Sequence, residues 1–176
     1  HAFIGRRADK SFVVVNGKEF GPWNKVENLT LSPDGTRCAW YGYKAFREPP
    51  VLLLDGQEIA NNSVGSFAFS PDGRRFAFRD RTKEGTVIRI VGDAAQLHVG
   101  GLRPLCFTPD SKRLIWSEEP RVYVGAELIG EVQGAGSIAA SLSADGKWIR
   151  CWTDKASFAA TLDGKNRRMI EGPVLF

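Results

Sequence analysis

An all-β fold of four-stranded units, repeated along the chain and closed into a ring, is what this sequence predicts. Three observations predict it. One turn motif recurs in near-constant register, a second kind of glycine turn falls between its copies, and the segments joining the turns are short and rich in β-branched or aromatic residues.

The first turn motif is Ser32-Pro33-Asp34-Gly35, and it returns as Ser70-Pro71-Asp72-Gly73, Thr108-Pro109-Asp110-Ser111 and Ser143-Ala144-Asp145-Gly146, at intervals of 38, 38 and 35 residues. A side-chain acceptor at the first position, a ring that presets φ at the second, Asp at the third and Gly at the fourth are the preferences of a type I turn closed by a left-handed residue. Such a turn joins two antiparallel strands into a short hairpin. Four copies in near register mark an internal repeat.

Between these copies lie Asn16-Gly17, Asp55-Gly56, Val91-Gly92-Asp93, Val124-Gly125-Ala126 and Asp163-Gly164. Asn-Gly and Asp-Gly supply the positive φ values of a two-residue type I′ loop, so a second hairpin is expected at each. The flanking strands read "FVVV", "VLLL", "VIRIV", "RVYV" and "FAATL". No segment keeps the i, i+3, i+4, i+7 apolar spacing of a helix.

Each period therefore holds four strands, and units of this length and strand number are the blades of a β-propeller. A sandwich would not repeat one turn at one interval. At the ends, "GPVLF" matches the "RPLCF" that leads into a turn, and "HAFIG" matches the "CAWYG" that leaves one. The expectation is a single domain over 1–176, five-bladed, with a fifth blade shared between residues 1–20 and 173–176. Pairing of the N- and C-terminal strands would close the ring and remove two sheet edges.

The chain has 176 residues, 43% apolar and 25% charged, which suits a globular domain with a core. Lys and Arg exceed Asp and Glu by 24 to 20, and stretches such as "RDRTKEG" mix the signs, so a solvated surface is expected and nucleic acid is not. Cys38, Cys106 and Cys151 stand apart in apolar strands without metal-ligand spacing, as core thiols do. No apolar run is long enough for a membrane helix, so no membrane insertion is expected. The chain opens at His1 without a signal-like apolar stretch, and the compartment stays open.

Aromatic residues fall at one repeat position: Phe3, Trp40, Phe78, Trp116 and Trp152. Packing between neighbouring blades is the expected use of one large ring per blade, in preference to a ligand cage.

The patterns "LTLSPDGTRCAW", "FAFSPDGRRFAF", "LCFTPDSKRLIW" and "ASLSADGKWIRCW" resemble the TolB-type, WD-like β-propeller repeats. The likeness runs along essentially the whole chain and is specific for fold. It implies a binding or scaffold propeller, since the repeated residues build blades. The fourth copy departs from it by Ala144 and by one extra residue before the aromatic.

Catalysis has little to draw on. A glycosidase site needs two carboxylates converging from different blades, yet the strands before the turns offer only Glu27 at their edge. With His1 and His98 the only histidines, imidazole-based triads and metal sites are not expected either. The expectation is no enzyme and no cofactor. Function is then sought on loops, which a rigid scaffold presents: "GPWNKVE", "YKAFREPP", "RDRTKEG" and "HVGGLR". Their candidate binding residues are Trp23, Phe46, Arg47, Arg81, His98 and Arg103, aromatic and basic groups of the kind that anchor interfaces. A monomer holding a protein or peptide partner is expected, with a small ligand also compatible. The alternative is a carbohydrate-binding or enzyme-accessory propeller in which Trp stacks on sugar.

Overall fold

The computed structural model describes residues 1–61, 65–83, 85–91, 96–98, 103–133 and 138–170, with 96–98, 103–105 and 170 described by their backbone alone. All regular structure among them is antiparallel sheet, in five sheets. The chain divides into two compact units, His1–Gly65 and Ser66–Phe176.

The first unit holds two sheets. Strands β1 (Ala2–Arg7), β2 (Lys10–Val15) and β3 (Lys18–Trp23) form a three-stranded sheet in chain order. Strands β4 (Lys25–Leu31), β5 (Cys38–Tyr43), β6 (Val51–Leu54) and β7 (Gln57–Asn61) form a four-stranded one. Val13, Trp23, Val26, Cys38, Trp40, Val51 and Leu53 make their shared core. Phe20 lies against Gly56, where a Cβ would meet its ring at 2.1 Å, and its ring centroid is 5.4 Å from that of Trp40.

The second unit holds three four-stranded sheets. The first is β8 (Phe67–Phe69), β9 (Phe76–Thr82), β10 (Gly85–Val91) and β11 (Gln96–His98); the second is β12 (Arg103–Phe107), β13 (Leu114–Glu118), β14 (Arg121–Val124) and β15 (Glu127–Glu131). The third is β16 (Ala139–Leu142), β17 (Trp148–Trp152), β18 (Ser157–Thr161) and β19 (Arg167–Ile170). One core gathers Ala77, Ile88, Phe107, Leu114 and Trp116; a larger one includes Ile115, Val122, Ile149, Cys151 and Phe158. Burial raises the Cys106 thiol to about 11 and the Cys151 thiol to about 12, so both are inert core groups near neutral pH.

The four expected turns share one bonding scheme. The Ser32 hydroxyl donates to Asp34 Oδ1 (2.5 Å) and accepts the Arg37 amide (2.9 Å), while Asp34 Oδ1 accepts the Thr36 amide (3.1 Å). Ser70, Thr108 and Ser143 do the same with Asp72, Asp110 and Asp145. Gly35, Gly73, Ser111 and Gly146 close the turns at φ of 61–70°. In the second unit the scheme also links neighbouring sheets: the Asp72 amide donates to Ser111 Oγ (3.1 Å), and Arg75 Nη1 donates to the Lys112 carbonyl (2.6 Å).

The second hairpins are more varied than expected. Asn16-Gly17 and Asp55-Gly56 have positive φ at both positions, as a type I′ loop requires. Asp163-Gly164 does not. There Thr161 Oγ1 donates to Asp163 and accepts the Asn166 amide, so 161–164 is a fifth copy of the Ser-x-Asp-Gly scheme, in a different hairpin. Val91-Gly92-Asp93 extends outside the described residues.

The aromatic series also needs one correction. Trp40, Phe78 and Trp116 are buried, each five residues beyond the residue that closes its turn. In the fourth copy Gly146 closes the turn, so the equivalent position is Cys151, fully buried opposite Ala140. The extra residue moves Trp152 one step along β17, and one step along a strand turns a side chain to the other face. Phe3 occupies its expected place on β1 but is 51% exposed. The expected partner of β1, within 173–176, lies outside the described residues.

Two outcomes follow from these contacts. Trp116 stacks on Tyr123 at 4.1 Å and donates to the Gly125 carbonyl at 2.7 Å. Trp116→Ala is expected to lower the stability of the second unit by about 3–5 kcal/mol in denaturant unfolding. The hydroxyl bond is the leading cause that holds Asp34, Asp72, Asp110, Asp145 and Asp163 below the usual Asp value of 3.8. A lowered native pKa stabilises above the unfolded value, and that stability is lost as pH falls through the native one. The melting temperature is therefore expected to stay level above about pH 5 and fall below about pH 4, with Asp72→Asn lessening the slope.

Candidate functional site

A concavity on the described surface gathers residues from three connections of the first unit. It has a volume of about 400 Å³ and is lined by Arg6, Asn24, Lys25, Tyr43, Ala45 and Phe46. Arg6 comes from the end of β1, beside the tight turn at Ala8 and Asp9. Asn24 and Lys25 form the junction of β3 with β4, and Tyr43, Ala45 and Phe46 lead from β5 into the loop before β6.

Backbone bonding fixes two of these connections together. The Asn24 amide donates to the Tyr43 carbonyl at 2.8 Å. Lys10 donates to the Asn24 side-chain carbonyl, which orients that amide. Trp23, 8% exposed, lies under the same corner: a Cβ on Gly42 would stand 2.6 Å from its indole. The expected anchor Trp23 is thus packed into the sheet contact and not displayed on the rim, because Gly42 leaves room for its ring.

One face of the site carries a closed polar group. Lys25 pairs with Glu27, and its ammonium stands 5.5 Å from the Tyr43 ring centroid. The Tyr43 hydroxyl donates to Glu27 Oε2 at 2.6 Å. These bonds, Lys25 first, hold Glu27 below the ordinary carboxylate range, and the Glu27 bond pushes the Tyr43 phenol up to about 12. Tyr43 therefore stays protonated at neutral pH, with its proton committed to Glu27.

The other face is open. Phe46 is 92% exposed, and Arg6 and Arg47 are exposed with no hydrogen bond or ion pair among the described residues. The lining has two cations, an amide, a phenol and an apolar ring, and no carboxylate, imidazole or thiol. Such a set offers charge, hydrogen bonding and apolar contact. Among the described residues no group of three or more His, Cys, Asp or Glu is placed to hold a metal ion, and no helix is long and apolar enough to cross a membrane.

Of the sequence candidates, Phe46 lines the site and Arg47 follows it on the same loop. Arg81 is exposed on β9 in the second unit. His98 ends β11 and Arg103 begins β12, both with side chains outside the described residues. Asn24, Lys25 and Tyr43 stood in the loops singled out by sequence, without being chosen from them. Arg6 was missed altogether. Aligning "HAFIG" with "CAWYG" already puts the residues after Gly5 where Tyr43 and its loop follow Gly42, and that was the signal available.

No protein-family model matches the sequence, and no curated protein sequence matches it. Solved structures do. TolB from Acinetobacter baumannii superposes with a TM-score of 0.54 over 99% of this chain, at 16% identity. The fold is that of a TolB-like β-propeller. A chain of a nidogen/laminin complex matches 98% of this chain and 78% of its own length, with a TM-score of 0.55 and 11% identity. A prolyl endopeptidase matches 84% of this chain over 29% of its own, with a TM-score of 0.53 and 17% identity. The chain spans about half, 53%, of the length of the Acinetobacter TolB. At these identities the likeness is one of fold, and the sheets can be called blades.

The Tyr43–Glu27 bond is open to direct measurement. Its raised phenol is expected as a tyrosine absorbance step near pH 12. Glu27→Gln should move that step toward the ordinary value of 10. A titration unchanged by the substitution would count against the bond.

Proposed function

We propose that this propeller is a non-catalytic interaction module that takes hold of a protein or peptide through the concavity around Phe46. The exposed Phe46 ring beside unpartnered arginines carries the reading. An aromatic ring left 92% in water gains nothing for folding, whereas aromatic and Arg side chains are the groups most often found as anchors in interfaces. The lining residues favour binding over chemistry, because they hold no nucleophile or proton acceptor suited to neutral pH.

The architecture proposed with it is a ring of five blades. The three-stranded sheet β1–β3 takes a fourth strand from the C-terminal segment, whose "PVLF" has the pattern that precedes each turn. A closed ring gives the loops a rigid base, which lets an exposed anchor be ordered before a partner arrives.

Capture from a lysate of the source organism tests the function. Wild-type protein is expected to retain a partner that the Phe46→Ala, Arg47→Ala double variant loses, with melting temperatures that agree. Equal capture by both would remove the site from this surface. Turnover of a glycan or peptide library by the wild-type domain would overturn the non-enzymatic reading.

A further inference from the structure

We infer that the concavity takes an acidic peptide segment, with a carboxylate on Arg6 and an apolar side chain against Phe46. This deepens the interaction reading above and rests on it. Charge decides the sign of the partner. The lining holds two cations and no anion. Glu27, next to the lining, is already engaged by Lys25 and by the Tyr43 hydroxyl, so it has little left with which to attract a cationic ligand.

Arg6 is the group with the most unused capacity. Its guanidinium has a planar set of donors that matches a carboxylate in two parallel bonds, and among the described residues none of those donors is taken. Asn24 adds an amide whose carbonyl is held by Lys10, which leaves its NH₂ group to turn toward a ligand. Phe46 and Ala45 supply the apolar wall. A volume of about 400 Å³ is at the small end for a ligand site, enough for one apolar side chain with the backbone beside it.

A peptide fits these features better than a nucleic acid does. A nucleic-acid strand needs cations along a track and successive aromatic platforms. Here one open cation, Arg6, shares the corner with the exposed Phe46 ring, and the exposed carboxylates of Asp9 and Glu48 follow within a few residues of Arg6 and Phe46. A continuous polyanion would meet those carboxylates, whereas a peptide with two or three acidic groups can be placed between them.

Fluorescence anisotropy with a labelled Gly-Glu-Gly-Phe-Glu-Gly peptide tests the inference, alongside versions with Lys for Glu and with Gly for Phe. The acidic peptide with Phe is expected to bind the wild-type chain and weaken with salt. Arg6→Glu and Phe46→Ala should each cost about tenfold in affinity, with unchanged circular dichroism and melting. Absence of binding, equal binding of the Lys peptide, or affinity indifferent to Arg6→Glu would overturn it. So would tighter, Arg6-dependent binding of a single-stranded oligonucleotide. The two levels of the reading separate as follows: a lysate partner lost on Phe46→Ala but not displaced by the acidic peptide leaves the interaction module standing and removes the acidic class, and retention of that partner by Phe46→Ala removes both.

Discussion

The hydroxyl–carboxylate pair inside each Ser-x-Asp-Gly turn is the contact on which the sheets depend. A tight turn between two strands leaves backbone amides that neither strand can satisfy, and an unpaired amide at a sheet end is costly. The Ser or Thr oxygen takes one of them, five residues on, and the Asp takes another, two residues beyond itself. The hydroxyl proton then joins the two acceptors. Nothing in the scheme involves the residue between Ser and Asp, which is why Ala144 serves as well as Pro33.

Register follows from that pair. Because the turn closes at a set residue, counting from it decides which side chains of the next strand face the neighbouring blade. Trp40, Phe78 and Trp116 obey the count, and so does Cys151. Where the fourth repeat has an additional residue, the sheet keeps the count and lets the aromatic go. The core near Cys151 is made up instead by Phe158, which lies on Gly130 where a Cβ would be 2.7 Å from its ring. Packing is thus adjusted blade by blade around an unchanging turn, as expected when backbone hydrogen bonding is less negotiable than side-chain volume.

The candidate site is a by-product of the same geometry. The loop after the second strand of a blade and the junction between blades meet at one corner, and in the first unit the Asn24–Tyr43 backbone bond holds them there. Trp23 is buried against Gly42 in the contact between the two sheets, while Phe46 and the arginines are left to solvent. The division of labour between Trp23 and Phe46 is instructive. Both are aromatic residues in glycine- or proline-flanked loops, and composition alone made them equals.

What the sequence by itself determined is the local and periodic part: strands, the first class of turn, the number of sheets and the blade-like repeat. These rest on dihedral preference and alternation, which a residue carries wherever it stands. Even there, 161–164 shows the limit, since Asp-Gly suits two turns and the hydroxyl at Thr161 selected between them. Only the tertiary structure decided that Trp23 is core and Phe46 is rim, that Cys151 replaces Trp152, and that Arg6 joins residues from two distant connections. Those outcomes depend on which glycine lies beneath a ring and how many residues separate it from a turn. They are properties of neighbours brought together by folding, and no residue announces its neighbours in advance.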